Sequence, residues 1–259
     1  MIKAKKKFGQ NFLTDTSIIK EIINHINPKE KDRILEIGPG MGALTKPILS
    51  KISHIDVIEI DSDMVAHLNK TVAESQISIM QDDILLMSKE TLRSFDRIIG
   101  NLPYYISTEI MIKMIDLIDS KKDFHFMFQR EVAERIAAVP GTKCYGRLSV
   151  LIQYFFTAEI LLHIPADAFT PAPKIQSSFV RLIPKKDFDL TFKDMDNFKK
   201  VIKLAFHQKR KTIKNNFKYI LDEKDFSSLG INPQDRAENL SISTFINIEN
   251  YMYGNKISL

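Results

Sequence analysis

Residues 33–45 read RILEIGPGMGALT. The run RILEI at 33–37 is short and apolar, and it ends abruptly in Gly38-Pro39-Gly40-Met41-Gly42. That combination predicts a buried strand followed by a turn whose glycines let a ligand approach the backbone at the carboxyl edge of a parallel sheet. A dinucleotide fingerprint needs G-x-G-x-x-G; here the third glycine comes one residue early and Ala43 takes its place, which disfavours a nicotinamide cofactor. Alone, such a turn is equally a tight strand-to-helix connection.

Working outward, four more apolar runs predict strands at 55–60 (IDVIEI), 77–80, 95–99 and 124–128. Stretches long enough for crossover helices separate them, including 64–73 and 108–117, and Ile18, Ile19, Ile22, Ile23 and Ile26 share one helical face upstream. Near-continuous apolar strands alternating with helices indicate an α/β domain with a mostly parallel sheet covered on both faces. A helix-like segment at 146–156 and a Val/Ile/Phe run at 175–183 follow. Pro184-Lys185-Lys186-Asp187 is the best boundary, and beyond it the pattern is helical through Tyr253. The expectation is a catalytic domain at 1–184 and a small all-α domain at 185–259.

Acidic residues recur at the predicted strand ends. Glu59 lies roughly 20 residues beyond Gly38, where a carboxylate accepts the ribose hydroxyls of an adenosine-containing cofactor. The third strand ends in Gln81-Asp82-Asp83, where an acid suits an adenine amino group, whereas Asp61 and Asp63 read as helix-start residues. The fourth strand runs into Gly100-Asn101-Leu102-Pro103-Tyr104. An exocyclic amine on a base is a poor nucleophile, because its lone pair is delocalised into the ring. An amide oxygen from Asn101 and a backbone carbonyl at Leu102, held by rigid Pro103, accept its two N–H groups and favour the pyramidal amine that attacks; Tyr104 offers a stacking face. The competing reading is an ordinary turn.

Composition narrows the partners. The 259 residues contain 44% hydrophobic side chains, enough for a proper core, and one cysteine, Cys144, which excludes an internal disulfide and a cysteine-based zinc cluster. The histidines show no ligand spacing, so no metal is expected. No apolar run approaches a membrane span and no signal peptide is visible, so a cytoplasmic protein without membrane association is expected. The net charge of +5 is unevenly placed. Residues 1–14 hold Lys3, Lys5, Lys6 and Lys7 without an acid. Residues 197–219 hold eight bases without one, including Lys209, Arg210, Lys211 and Lys214. Asp187, Asp189, Asp194 and Asp196 precede the second stretch, and Phe198, Phe206, Phe217 and Tyr219 interleave it. A basic stretch of this length favours a polyanionic partner over a merely solvated helix face.

These motifs together resemble the small-subunit (16S) ribosomal RNA adenine N6,N6-dimethyltransferases of the kasugamycin-sensitivity type. The resemblance runs nearly end to end, through 7–13 (KFGQNFL), 35–45 (LEIGPGMGALT), 101–108 (NLPYYIST), 145–150 (YGRLSV), 169–177 (FTPAPKIQS), 208–216 (QKRKTIKNN) and 236–241 (RAENLS). It implies a Rossmann-like domain using S-adenosyl-L-methionine. The substrate it implies is 16S rRNA in the small-subunit precursor, dimethylated on two adjacent adenosines of the 3'-terminal hairpin loop. By motif, Asn11, Leu13, Gly38, Glu59, Asp83 and Asn101 hold the cofactor, Tyr104 and Phe169 sandwich the flipped base, and Lys209, Arg210, Lys211 and Lys214 bind RNA. No oligomer is implied, and a monomer is expected. Tyr105 departs from the asparagine frequent at that position. The neighbouring macrolide-resistance methylases of 23S rRNA share the catalytic motifs, but 208–216 and 236–241 resemble the small-subunit enzymes. A catalytically idle assembly factor is the remaining alternative, against which the intact 101–104 motif argues.

Overall fold

The computed structural model describes residue 5, residues 9–186 and residues 191–258. Lys3, Lys6 and Lys7 of the first basic stretch, and Asp187 and Asp189, lie outside the described residues. The chain forms two compact units, Met1–Ala133 with Thr157–Pro184, and Glu134–Phe156 with Lys185–Leu259.

In chain order the elements are β1 (Phe12–Leu13), α1 (Thr16–Ile26), β2 (Ile34–Ile37), α2 (Thr45–Leu49), β3 (Ile55–Ile58), α3 (Ser62–Thr71) and β4 (Ile77–Met80). There follow α4 (Lys89–Arg93), β5 (Arg97–Asn101), α5 (Ser107–Met114), β6 (Asp123–Gln129), α6 (Arg130–Ile136), α7 (Arg147–Phe155), β7 (Phe156–Ile164), β8 (Phe169–Thr170) and β9 (Ser177–Pro184). The C-terminal helices are α8 (Met195–Ala205), α9 (Ile213–Asn216), α10 (Glu223–Ser228) and α11 (Ile242–Gly254).

The first unit is built on a seven-stranded sheet ordered β4-β3-β2-β5-β6-β9-β7. Strands β2 to β6 run parallel, and β9 is antiparallel to β6. Every residue of β2 is buried, as a strand covered on both faces requires. From β2 the chain steps outward to β3 and β4, then returns to place β5 on the other side of β2. That reversal opens a crevice at the carboxyl ends of β2 and β5, where open α/β sheets take their ligands. The two strands meet closely there. Ile37 pairs with Gly100, and a Cβ at Gly100 would stand 2.6 Å from the Ile37 carbonyl oxygen, so only glycine fits.

The amino end of the sheet is held by charge. The guanidinium of Arg97 donates to both carboxylate oxygens of Asp123 at 2.7 and 2.9 Å, to Asp32 at 3.1 Å and to the Ile26 carbonyl that ends α1. These are buried, bidentate, charge-assisted bonds. Burial pushes the Asp123 carboxyl up, but the His125 ring beside it, 3.3 Å away, and the Arg97 guanidinium together hold it down to about 2.

Two features lie outside the sequence-based expectation. Residues 156–164 (FTAEILLHI) form β7, and β1 pairs antiparallel with β8 in a sheet of its own, Leu13 opposite Phe169. In the second unit, α7 packs on α8 and α11. Residues 134–156 therefore group with the C-terminal helices, although they come before β8 and β9 and nearly all of β7 in sequence. Among the described residues, no helix is long and apolar enough to cross a membrane.

Candidate active site

The crevice after β2 and β5 is a cavity lined by five segments of the first unit. They are 9–13, the turn 36–44, the β3 and β4 ends at 58–60 and 82–85, and the β5 end at 101–106. Gly38, Gly40 and Gly42 all adopt left-handed backbone conformations (φ 64°, 56° and 81°), which a side chain resists, so the turn is shaped by glycine as its spacing implied.

Glu59 stands just past the end of β3, buried, with one carboxylate oxygen accepting the Gly40 N–H at 3.2 Å and the other the Asp61 N–H at 2.9 Å. Burial pushes its carboxyl above the usual range, and those backbone bonds pull back. Each oxygen keeps a lone pair for a ligand hydroxyl. Asp83 anchors the next turn by accepting the Leu85 N–H at 2.9 Å. At the end of β5, Asn101 Nδ2 donates to the Asn11 carbonyl at 3.2 Å, which leaves Oδ1 as the free acceptor of the amide. The Tyr104 hydroxyl lies 2.5 Å from Ser177 Oγ, tethering the ring to β9, and burial raises that phenol.

Asn11, Leu13, Gly38, Glu59, Asp83, Asn101, Leu102, Pro103 and Tyr104 thus line one cavity. Phe169 does not. It is 3% exposed, in the same apolar core cluster as Leu13. Lys209, Arg210, Lys211 and Lys214 lie in the helical unit. The first three are exposed, with Lys209 donating to the Lys143 carbonyl, while Lys214 is ion-paired with Glu223 at 2.5 Å. The aromatics interleaved with these bases do not form a stacking surface. Phe198, Phe206 and Phe217 are buried in the helical core, and only Tyr219 is exposed, at 89%.

Sequence reasoning missed Glu36 and a second role for Asp61, which includes its bond with Gln10. Glu36 hides inside the apolar run 33–37; its buried carboxyl lines the cavity, accepts the Thr45 hydroxyl at 2.6 Å and is pushed up to about 7 by burial. Its signal was an acid in a strand with no polar face. Asp61 caps α3 as expected, accepting the Asp63 N–H, but its 1%-exposed carboxylate also takes Lys5 Nζ at 2.6 Å and Gln10 Nε2 at 2.9 Å. Those two bonds pin the N-terminal segment across the β3–α3 corner.

Residues 1–253 match the family model described as ribosomal RNA adenine dimethylase. The chain belongs to that family. It is therefore an rRNA adenine methyltransferase that uses S-adenosylmethionine. Ribosomal RNA small subunit methyltransferase A of Neisseria meningitidis serogroup C is 43% identical over 255 residues, 98% of each chain. The protein of that name from Methylobacillus flagellatus is 43% identical over 249 residues, covering 96% of this chain and 98% of its own. Among solved structures, a dimethyladenosine transferase from Plasmodium falciparum superposes with a TM-score of 0.83 at 26% identity, covering 95% of this chain and 98% of that one. The 23S rRNA methyltransferase ErmE shares the fold (TM-score 0.74) at 19% identity, over 94% of this chain and all of its own. Relatedness thus favours the small-subunit enzymes over the macrolide-resistance alternative.

The cavity suits the family's cofactor. Glu59 offers two carboxylate oxygens beside the glycine turn, the apolar Ile60 and Ile84 line the cavity together with Asp83, and Gly38 holds a left-handed backbone that a side chain resists.

Proposed function

We propose that this protein dimethylates N6 of two adjacent adenosines in the 3'-terminal hairpin loop of 16S rRNA, acting in the cytoplasm as a monomer on a precursor of the small subunit. The observation that carries the reading is the end of β5. Asn101 lines the cavity beside Leu102 and Tyr104, and with its Nδ2 donating to the Asn11 carbonyl its Oδ1 is left as an acceptor.

When bound, S-adenosylmethionine supplies an electrophilic methyl group. Glu59 holds the ribose hydroxyls, Asp83 the adenine amino group, and Gly38 admits the methionine end, with Asn11 and Leu13 closing the N-terminal side. Asn101 Oδ1 and the Leu102 carbonyl accept the two N–H groups of the target amine, turning its lone pair out of conjugation and toward the methyl donor. Tyr104, tethered through Ser177, stacks on the extruded base. Phe169 is assigned the opposite face, which requires it to leave its place in the core. An adenosine in a hairpin loop is cheap to unstack, which suits this pocket. The amine then sheds its extra proton to solvent, and no covalent enzyme intermediate is needed.

We assign methyl transfer to the residues of 1–184 that form the sheet, and RNA docking to the helical residues of 185–259 through Lys209, Arg210, Lys211 and Lys214. The deciding experiment is transfer of labelled methyl groups to undermethylated small subunits, with modified nucleotides mapped. Dimethyladenosine at two adjacent loop positions is expected. Label confined to large-subunit RNA would transfer the assignment to the macrolide-resistance class, and no label at all would leave an assembly factor.

A further inference from the structure

A second concavity lies behind the glycine turn, between α1 and α2, which pack together. Its lining is largely apolar, with Ile19, Ile23, Met41 and Pro47 among its residues, and it includes Lys20, Lys46 and Lys51 and no acid. All three lysines are exposed. Elsewhere in this unit, cations are commonly engaged: Lys5 by Asp61 and Asp63, Lys89 by Asp116, Lys122 by Asp32, and Lys113 by two backbone carbonyls. Lys20, Lys46 and Lys51 make no ion pair or hydrogen bond among the described residues. The stem of Lys46 crosses the turn itself, because a Cβ at Gly42 would come within 3.4 Å of its Cε. Phe12, Leu13, Met41 and Ala43 line both this groove and the cofactor cavity, so the two share one wall.

We propose that this groove is an RNA-docking surface. Its three lysines neutralise phosphates of the substrate strand, and its apolar lining receives a ribose or an unstacked base next to them. Charge decides the occupant. Three exposed ammonium groups without an ion pair, lining one groove that has no acid, complement a polyanion that displaces their counterions, and the anion this family acts on is rRNA. A phosphate-rich strand lying here would follow the outer wall of the turn that holds the methyl donor. The inference rests on the rRNA reading above but concerns a surface distinct from the reacting cavity and from Lys209, Arg210 and Lys211.

The test is equilibrium binding of the full-length protein to protein-free 16S rRNA and to undermethylated small subunits across a salt series. The variant Lys20→Gln/Lys46→Gln/Lys51→Gln is compared with Lys31→Gln/Lys70→Gln/Lys224→Gln, which removes the same charge from scattered exposed sites. S-adenosylmethionine affinity and melting temperature confirm that each variant is folded. The groove variant is expected to bind both RNAs about tenfold more weakly at low salt, and to lower the slope of log K against log salt by about 2, at roughly 0.7 per phosphate neutralised on a single strand. A loss no greater than that of the scattered variant overturns the proposal. Weaker binding to subunits with unchanged binding to protein-free RNA also overturns it, and assigns the groove to a ribosomal protein. Methyl transfer by the unaltered protein is measured in parallel: transfer with no groove effect sinks only this inference, whereas no RNA binding by the unaltered protein sinks both.

Discussion

Asn101 and Glu36 lie at the ends of neighbouring strands, face one cavity and do opposite things with charge. Asn101 is a neutral amide with its donor end spent on the Asn11 carbonyl, so its value lies in the acceptor left over. Asn101→Ala is expected to cut the single-turnover rate of methyl transfer about 10²–10³-fold, the scale of losing one well-placed polar group at a reacting centre. RNA affinity should stay within about twofold, and an unchanged rate would remove the acceptor role. Glu36 is an acid that the fold prefers neutral. Burial lifts its carboxyl from an ordinary 4.5 to about 7, with like-charged Glu59 adding to the rise and the Thr45 hydroxyl opposing it. A carboxyl raised by folding lends its full stabilisation below about pH 4.5 and loses it as pH climbs through about 7. Glu36→Gln keeps an acceptor for Thr45 and removes the titration. The variant should therefore match the parent in melting temperature at pH 4.5 and exceed it at pH 8, by a stability of up to about 3 kcal/mol. Equal melting at both values would show that Glu36 ionises at no cost.

At the scale of elements, the reacting geometry depends on how closely β2 approaches β5 and on the two-residue ladder between β1 and β8. Gly100 sits where a Cβ would strike the Ile37 carbonyl backbone, which cannot swing aside as a side chain can. Gly100→Ala should cost about 1–3 kcal/mol by overpacking, and should weaken cofactor binding because Gly38 and Asn101 are pushed apart; a urea titration and a cofactor isotherm read both. Phe169→Ala separates two roles by magnitude. A buried Phe truncated to Ala loses about 3–5 kcal/mol of fold stability, whereas a lost stacking partner costs about 1–3 kcal/mol at the substrate. Its 3% exposure beside Leu13 predicts the larger loss in the urea midpoint; a fall in turnover with an unshifted midpoint would instead show a residue that works exposed. This element also marks the limit of what the chain made legible. Strands β2 to β6 announced themselves as apolar runs, and Glu59, Asp83 and Asn101 as polar residues stopping them. The β1–β8 pair joins residues over 150 positions apart through two residues each, too short for any periodicity. β7 escaped because FTAEILLHI mixes burial classes along its length and follows directly on a helix.

Across the whole molecule, the charge asymmetry visible in the sequence keeps its meaning, but its carriers change. The aromatics between the C-terminal bases are core residues, and α8 turns Phe198, Val201, Ile202 and Ala205 inward while Lys199, Lys200 and Lys203 face solvent. What distinguishes this stretch from any solvated helix is thus the loop beyond α8, where Lys209, Arg210 and Lys211 are exposed on a segment that presents no acid of its own. Lys214 differs, since Glu223 already occupies its ammonium, and an exposed pair of that kind must be broken before it can serve a phosphate. Reversing Lys209, Arg210 and Lys211 to Glu should therefore weaken RNA binding steeply and flatten its dependence on salt, by about 0.7–0.9 in slope for each phosphate no longer neutralised. Lys214→Gln should change the slope by a smaller amount than any one of the three replaced singly. Cofactor affinity, a property of the sheet unit, should be the same in all these variants. An unaltered salt slope in the triple reversal would mean that the loop is an ordinary solvated surface, and that RNA is held by the sheet unit alone.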